Sequence, residues 1–275
     1  MAAIRKTLRA IIGLTACCVL AFSLYQIFIY LRDVSSSRAL TDDLIKDAVE
    51  LLPSPEAASE DAAAPGDTGS AQPEAEAETG ESAPIKVDFE ALRRKNEDII
   101  AWLYSEDTPI NLPVLQAGDN DYYLYRLADG SYNPAGSLFA DYRNNADFSS
   151  PNTIIYGHNM KNGSMFGSLR EYRNQDYYDE HPVIWLLTPE EDYRLELVAG
   201  FVTADDNRIY TLEQDEDSML ELAEEAIKYS AFDSGAEAVP GSRYLTLSTC
   251  TYDYDNARYV LLCRLVPLGS AHEAG

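Results

Sequence analysis

The chain has 275 residues, 46% of them hydrophobic, which is enough for one folded domain with accessory segments. Its 21 lysines and arginines stand against 46 aspartates and glutamates, a formal charge of −25 that repels phosphate backbones and argues against nucleic-acid binding. The excess runs through the folded part, since residues 85–275 carry 15 basic and 33 acidic side chains, and such a surface favours solubility and cationic partners such as amines.

Residues 10–31, AIIGLTACCVLAFSLYQIFIYL, are free of charge, and as a helix rising about 1.5 Å per residue they would cross the roughly 30 Å hydrocarbon layer. Arg5, Lys6 and Arg9 precede the run, so residues 1–9 are expected in the cytoplasm and the remainder outside. A cleaved signal peptide is the competing reading, but its apolar region is usually only about 7–15 residues long. Residues 32–52 follow as a membrane-proximal segment, in which Leu40, Leu44, Ala48 and Leu52 keep helical spacing behind Thr41 as a possible N-cap.

From 53 to 84 the composition turns to Pro, Ala, Glu, Asp, Gly and Ser, without an aromatic, lysine or arginine. Such a stretch cannot build a core and reads as a disordered acidic spacer that holds the following domain away from the membrane. The catalytic-size domain is expected over 85–268, with a short tail at 269–275.

Within it, VDFEALRRKNEDIIAWLYS (87–105) reads as a helix capped by Asp88, with Phe89, Leu92, Ile99, Trp102 and Leu103 on one face. Seven β-branched or aromatic runs bounded by turn residues then predict strands at 112–116, 136–141, 152–157, 183–188, 193–203, 244–249 and 258–266. One helix, 215–232, is inserted among the late strands, with Met219, Leu222, Ala226 and Tyr229 at helical spacing. Many strands with few helical crossovers predict a mainly β fold, a closed or nearly closed barrel.

The four cysteines include no CxxC pair, and His158, His181 and His272 lie far apart, so no local metal pattern appears and no cofactor is expected. Cys17 and Cys18 fall in the apolar run, which leaves too few cysteines for a disulfide scaffold. Cys263 lies mid-strand among leucines and reads as core. Cys250 instead follows YLTLST at a strand end and is flanked by polar residues, where a rigid scaffold displays reactive groups.

A free thiol titrates near about 8.5, so a nucleophilic cysteine needs a neighbouring cation, and an imidazolium can also protonate a leaving amine. His158, after the strand and glycine of TIIYGHNM, is the best placed of the histidines; His181 reads as a surface residue and His272 as tail. Arg258 opens the strand that follows Cys250, so a hairpin would bring guanidinium and sulfur to one rim, where the arginine could stabilise an oxyanion. A surface ion pair with Asp253 or Asp255 is its alternative use.

TLSTC with an arginine shortly after, together with TIIYGHNMKNGSMFGSL, DFEALRRKNEDIIAWL, INLPVLQ, DNDYYL and AGSLFADYRN, resembles the sortase family, specifically class B. The resemblance implies an eight-stranded closed barrel with an N-terminal helix and an inserted helix, preceded by one transmembrane helix. One strand more than the seven read directly is then expected, near INLPVLQ. It implies Cys250 as nucleophile, His158 as general acid or base, Arg258 as oxyanion or substrate-positioning group, and Asn120, Leu124, Tyr156 and Ser248 lining a sorting-signal groove.

The implied reaction is transpeptidation through a thioester. Its partners are exported proteins with a C-terminal sorting signal and an amine acceptor from a peptidoglycan precursor or a pilin lysine. The enzyme would be held at the outer face of a Gram-positive-type cell membrane. An exported cysteine peptidase and an anchored, non-enzymatic binding module are the rival readings; the first lacks papain-like CGSCW surroundings here, and the second needs Cys250 buried.

Overall fold

The structure, a computed structural model, describes residues 2–52, 82–212 and 215–269. Most of the 53–84 stretch and nearly all of the 269–275 tail lie outside the described residues, so the disorder expected of the first falls there too.

Helix α1 runs unbroken from Ala2 to Ala48 and includes a segment long and apolar enough to cross a membrane. The side chains of its apolar run are exposed except for the half-buried Ile29, whereas Ser37, Leu44 and Ala48 are buried against the rest of the protein. Thr41 does not cap a separate helix. It lies inside α1, its hydroxyl donating to the Ser37 carbonyl one turn back at 3.1 Å.

The chain then forms strand β1 (Val49–Leu51), which pairs antiparallel with β2 (Ile85–Val87). Leu52 N donates to Pro84 O at 2.8 Å, so the intervening acidic stretch leaves and re-enters at one point. It therefore does not set the separation between α1 and the domain, which is a correction to the spacer reading. Contact is direct: Leu44 and Ala48 share a hydrophobic cluster with Ile85, Leu92, Trp102 and Trp185, and the folded unit takes in the C-terminal end of α1.

Asp88 caps helix α2 (Phe89–Lys95) as expected, its carboxylate accepting from Ala91 N at 2.9 Å. The helix stops at Asn96, whose side-chain amide turns to Tyr123 Oη and the Ala128 carbonyl. Residues Ile99–Tyr104, expected as the rest of that helix, form strand β3. This is the eighth barrel strand, in the stretch just before INLPVLQ and paired with the strand that INLPVLQ itself forms. Its residues 99–103 are all buried, so side chains on both faces of the strand are covered.

The remaining strands follow as β4 (Asn111–Leu115), β5 (Leu138–Ala140), β6 (Asn152–Tyr156), β7 (Val183–Leu187), β8 (Tyr193–Ala204), β9 (Tyr244–Cys250) and β10 (Ala257–Pro267). They close in the order β10-β8-β7-β3-β4-β5-β6-β9, an eight-stranded barrel of mixed sense. Alternate residues fill its interior, among them Leu103, Val114, Leu138, Ile155, Leu186, Leu195, Leu247 and Leu261, one from each strand. Between β7 and the helices that precede it lies α3 (Gln175–Glu180); helix α4 (Glu216–Tyr229), capped by Asp215, is the expected insertion and covers Val260 and Leu262 on the outer face.

Candidate active site

Strand alternation decides what Cys250 faces. Leu245 and Leu247 of β9 point into the barrel, so Thr246, Ser248 and Cys250 point out. The same count sends Arg258 outward from β10, where Tyr259 and Leu261 are interior, and Tyr156 outward from β6, where Ile155 is interior.

Register then brings these outward positions together. Arg258 is the direct cross-strand partner of Cys250 in the antiparallel β9–β10 ladder. On the other side β6 runs parallel to β9 with Tyr156 opposite Ser248. The chain keeps that register past the strand end: Gly157 N donates to Ser248 O at 3.1 Å, Thr249 Oγ1 to Gly157 O at 2.8 Å, and Asn159 Nδ2 to Cys250 O at 2.8 Å. Residue 158 therefore travels beside residue 250. Cys250 stands on the outer rim with Arg258 beside it on β10, and the segment that carries His158, just beyond the end of β6, runs past its other side.

Two of the three are held by side contacts of their own. The His158 Nε2 atom lies 2.8 Å from the Leu124 carbonyl, which can only accept, so Nε2 is the donating nitrogen of the ring. Tyr125 flanks the same ring at 5.9 Å between centroids. The Arg258 guanidinium pairs with Asp205 at 3.5 Å, and not with Asp253 or Asp255. Cys250 is exposed, whereas Cys263 is sealed in the core, where burial pushes its thiol far above the ordinary range.

The expected groove residues form a second group around one carboxylate. Asp141 is fully buried and accepts from Arg143 through Nε and Nη2 (2.8 and 2.7 Å), from Asn120 Nδ2 at 3.0 Å and from Tyr156 Oη at 3.1 Å. Burial alone would raise this carboxyl, but the bonds from Arg143 and Asn120 outweigh it and the net shift is downward. Tyr156 in turn stacks on Tyr210, with centroids 6.4 Å apart and planes 13° apart. Ser248 is buried and its hydroxyl is taken by Tyr210 Oη at 2.8 Å, so it supports that ring from beneath. Burial pushes the Tyr210 phenol up to about 12, which keeps it protonated.

Leu124 contributes through its carbonyl, as above. Among the described residues no group of three or more His, Cys, Asp or Glu side chains could hold a metal ion. His181 caps the C-terminus of α3, away from this rim.

Sequence reasoning missed Tyr210, Asn159, Asp205 and Arg173. Arg173 makes a forked pair with Asp253 at 3.0 and 2.6 Å and also donates to Thr251 Oγ1, clamping the loop that follows Cys250. These contacts span dozens of residues in sequence, and no local pattern announces them. Asp141 and Arg143 were missed as well, although ADYRN sets an acid two places before a base at a strand end.

A family model described as the sortase domain matches residues 104–266. Sortase B of Listeria monocytogenes is 37% identical over 193 residues, 69% of this chain and 78% of that protein. Sortase B of Staphylococcus aureus is 30% identical over 185 residues, 66% of this chain and 76% of its own. A solved S. aureus sortase B–substrate complex superposes with a TM-score of 0.61 at 30% identity, covering 65% of this chain and 84% of that one. The barrel described above is thus the sortase B fold. The chain belongs to the sortase family, in its class B, and is a sortase transpeptidase.

Proposed function

We propose that Cys250 is the nucleophile of a transpeptidation carried out at the outer surface of a cell membrane, with His158 and Arg258 as its partners. The Cys250 sulfur attacks a backbone carbonyl carbon in the sorting signal of an exported protein. The carbonyl C–N bond breaks, His158 gives a proton to the departing amine, and a thioester joins enzyme to substrate. An acceptor amine then attacks the thioester carbon and gives up a proton to the now neutral His158, the sulfur leaves as thiolate, and a new amide forms. Arg258 donates to the carbonyl oxygen as negative charge gathers on it in both steps, with Asp205 steadying the guanidinium.

The observation that carries this reading is the register at the rim, with Arg258 the cross-strand partner of Cys250 and His158 two residues beyond the end of β6, whose Tyr156 pairs with Ser248. Tyr156 and Tyr210 form the wall along which the peptide runs, and Asn120 and Leu124 line its approach. The acceptor is an amine of the cell wall or of a pilin lysine, and the acidic surface draws such cations toward the domain. Helix α1 anchors the protein by a single span, with Arg5, Lys6 and Arg9 on the cytoplasmic side.

The test is mass spectrometry of the protein incubated with a sorting-signal peptide library and a panel of amines. An acyl adduct on Cys250 that is released by one amine class supports the reading and identifies both substrates. Turnover in Cys250→Ala equal to that of the unaltered protein rejects it.

A further inference from the structure

The apolar run of α1 ends at Leu31, and hydrogen bonds that tie the helix to the domain come just after it. Asn133 Nδ2 donates to the Asp33 carbonyl at 2.8 Å and to Ser36 Oγ at 3.0 Å. At about 1.5 Å of rise per residue, these points lie about 3 Å and about 7.5 Å beyond Leu31 along the helix axis. The headgroup layer on each side of a bilayer is itself about 5–7 Å deep. Asn133 is therefore fastened to the helix at headgroup height.

Its neighbour Tyr132 is 74% exposed, a large ring held out from the protein. A backbone bridge joins Tyr132 to Arg126, whose guanidinium lies 4.4 Å over the ring of Tyr122, and Tyr122 and Tyr125 are exposed as well. Tyrosine and arginine are the side chains that favour this layer, one with an apolar body and polar tip, the other with a charge for lipid phosphates.

We infer that the turn from Arg126 to Asn133 rests in the lipid headgroup layer, with Tyr132 as an interfacial anchor. The inference rests on the reading of α1 as a membrane span. The formal charge of −25 makes general electrostatic attraction to anionic lipid unfavourable, so the hold comes from ring insertion at this turn. The two residues just before this turn are Leu124, whose carbonyl holds His158, and Tyr125, which flanks it. The rim bearing Cys250 is thereby tied to the bilayer surface through one continuous stretch of chain, and the enzyme meets its peptide substrate at the membrane.

Tryptophan fluorescence of the full chain in phosphatidylcholine–phosphatidylglycerol vesicles tests this. The two native tryptophans, Trp102 and Trp185, are buried and report little of the lipid. Tyr132→Trp is compared with Tyr229→Trp, an exposed position at the end of α4. Lipids brominated near the headgroup should quench the first at least about twofold more strongly than the second. Vesicle flotation is scored beforehand: a chain that does not float overturns the membrane span and the inference with it. A chain that floats while the two variants quench equally overturns the inference alone. Emission from Tyr132→Trp that changes with protein concentration but resists bromine puts a second copy on the turn, and also overturns it.

Discussion

Arg258 faces Cys250 directly across the β9–β10 ladder, and its guanidinium is drawn toward Asp205 on the other flank of β10. The planar fork can therefore present one edge to Asp205 and keep further donors for an oxygen at the cysteine. Lysine would keep the charge and lose that geometry. Arg258→Lys is expected to lower kcat by about 10²-fold or more while thermal stability stays close to that of the unaltered protein. Steady-state kinetics with a sorting-signal peptide checks this, and a wild-type rate would assign Arg258 to the ion pair alone.

The loop after Cys250 depends on the Arg173–Asp253 clamp. The bonds from Arg173 and Thr251 hold the Asp253 carboxyl down to about 2. A depressed folded-state value means that the stabilisation is present above the unfolded carboxyl range near about 3.9 and is lost as pH falls through about 2. The unaltered protein should thus melt above Asp253→Asn at pH 6, and the gap should shrink between about pH 4 and pH 2. A gap that stays constant over that interval would show that charge is not what the clamp uses.

What could be read from the sequence was set by how local the cause was. Cys250 and Arg258 are separated by one hairpin loop, so strand alternation and turn length were enough to bring them together. The inserted helix α4 declared itself through the apolar spacing of Met219, Leu222 and Ala226, and it was found with nearly its expected bounds, although Tyr229, read on the same stripe, is exposed. Strand β3 failed for the opposite reason. It is covered on both faces, inside by the barrel core and outside by α1 and α2, so IIAWLY shows no period of two and extended the preceding helical pattern. The pairing of β1 with β2 spans the acidic stretch, and no composition argument foretells that its two ends meet. Tyr210 reaches Ser248 only because α4 and the turn before it fold over the outer face, which tertiary structure alone decides.

Gly157 separates Tyr156 from His158 at a point where the backbone has no room for a side chain. A Cβ there would lie 2.5 Å from Leu138 Cδ2 and 2.6 Å from Phe166 Cδ2, both on buried side chains. Gly157→Ala must shift either the core or the strand end, and it should cost about 1–3 kcal/mol of stability. The shift also moves His158 relative to the Leu124 carbonyl. Calorimetry should show a lowered Tm and kinetics a lowered kcat; an unchanged Tm would mean that the core yields there without strain.

Tyr259 offers a change of opposite sign. Its hydroxyl is buried and has no hydrogen-bond partner among the described residues, and burial raises its titration well above the ordinary phenol range. The oxygen lies against Gly200, where a Cβ would approach to 2.3 Å, so it also forbids a side chain at that position. Tyr259→Phe removes an unsatisfied polar atom while keeping the ring under the Arg173 guanidinium at 5.3 Å. It should therefore stabilise by about 1 kcal/mol, and raise Tm by about 2–4 °C. Gly200→Ala should be destabilising alone and less so in the Tyr259→Phe background, with the contact to Phe232 at 2.7 Å limiting the rescue. Loss of stability in Tyr259→Phe would reveal a partner for the hydroxyl and reverse the argument for both positions.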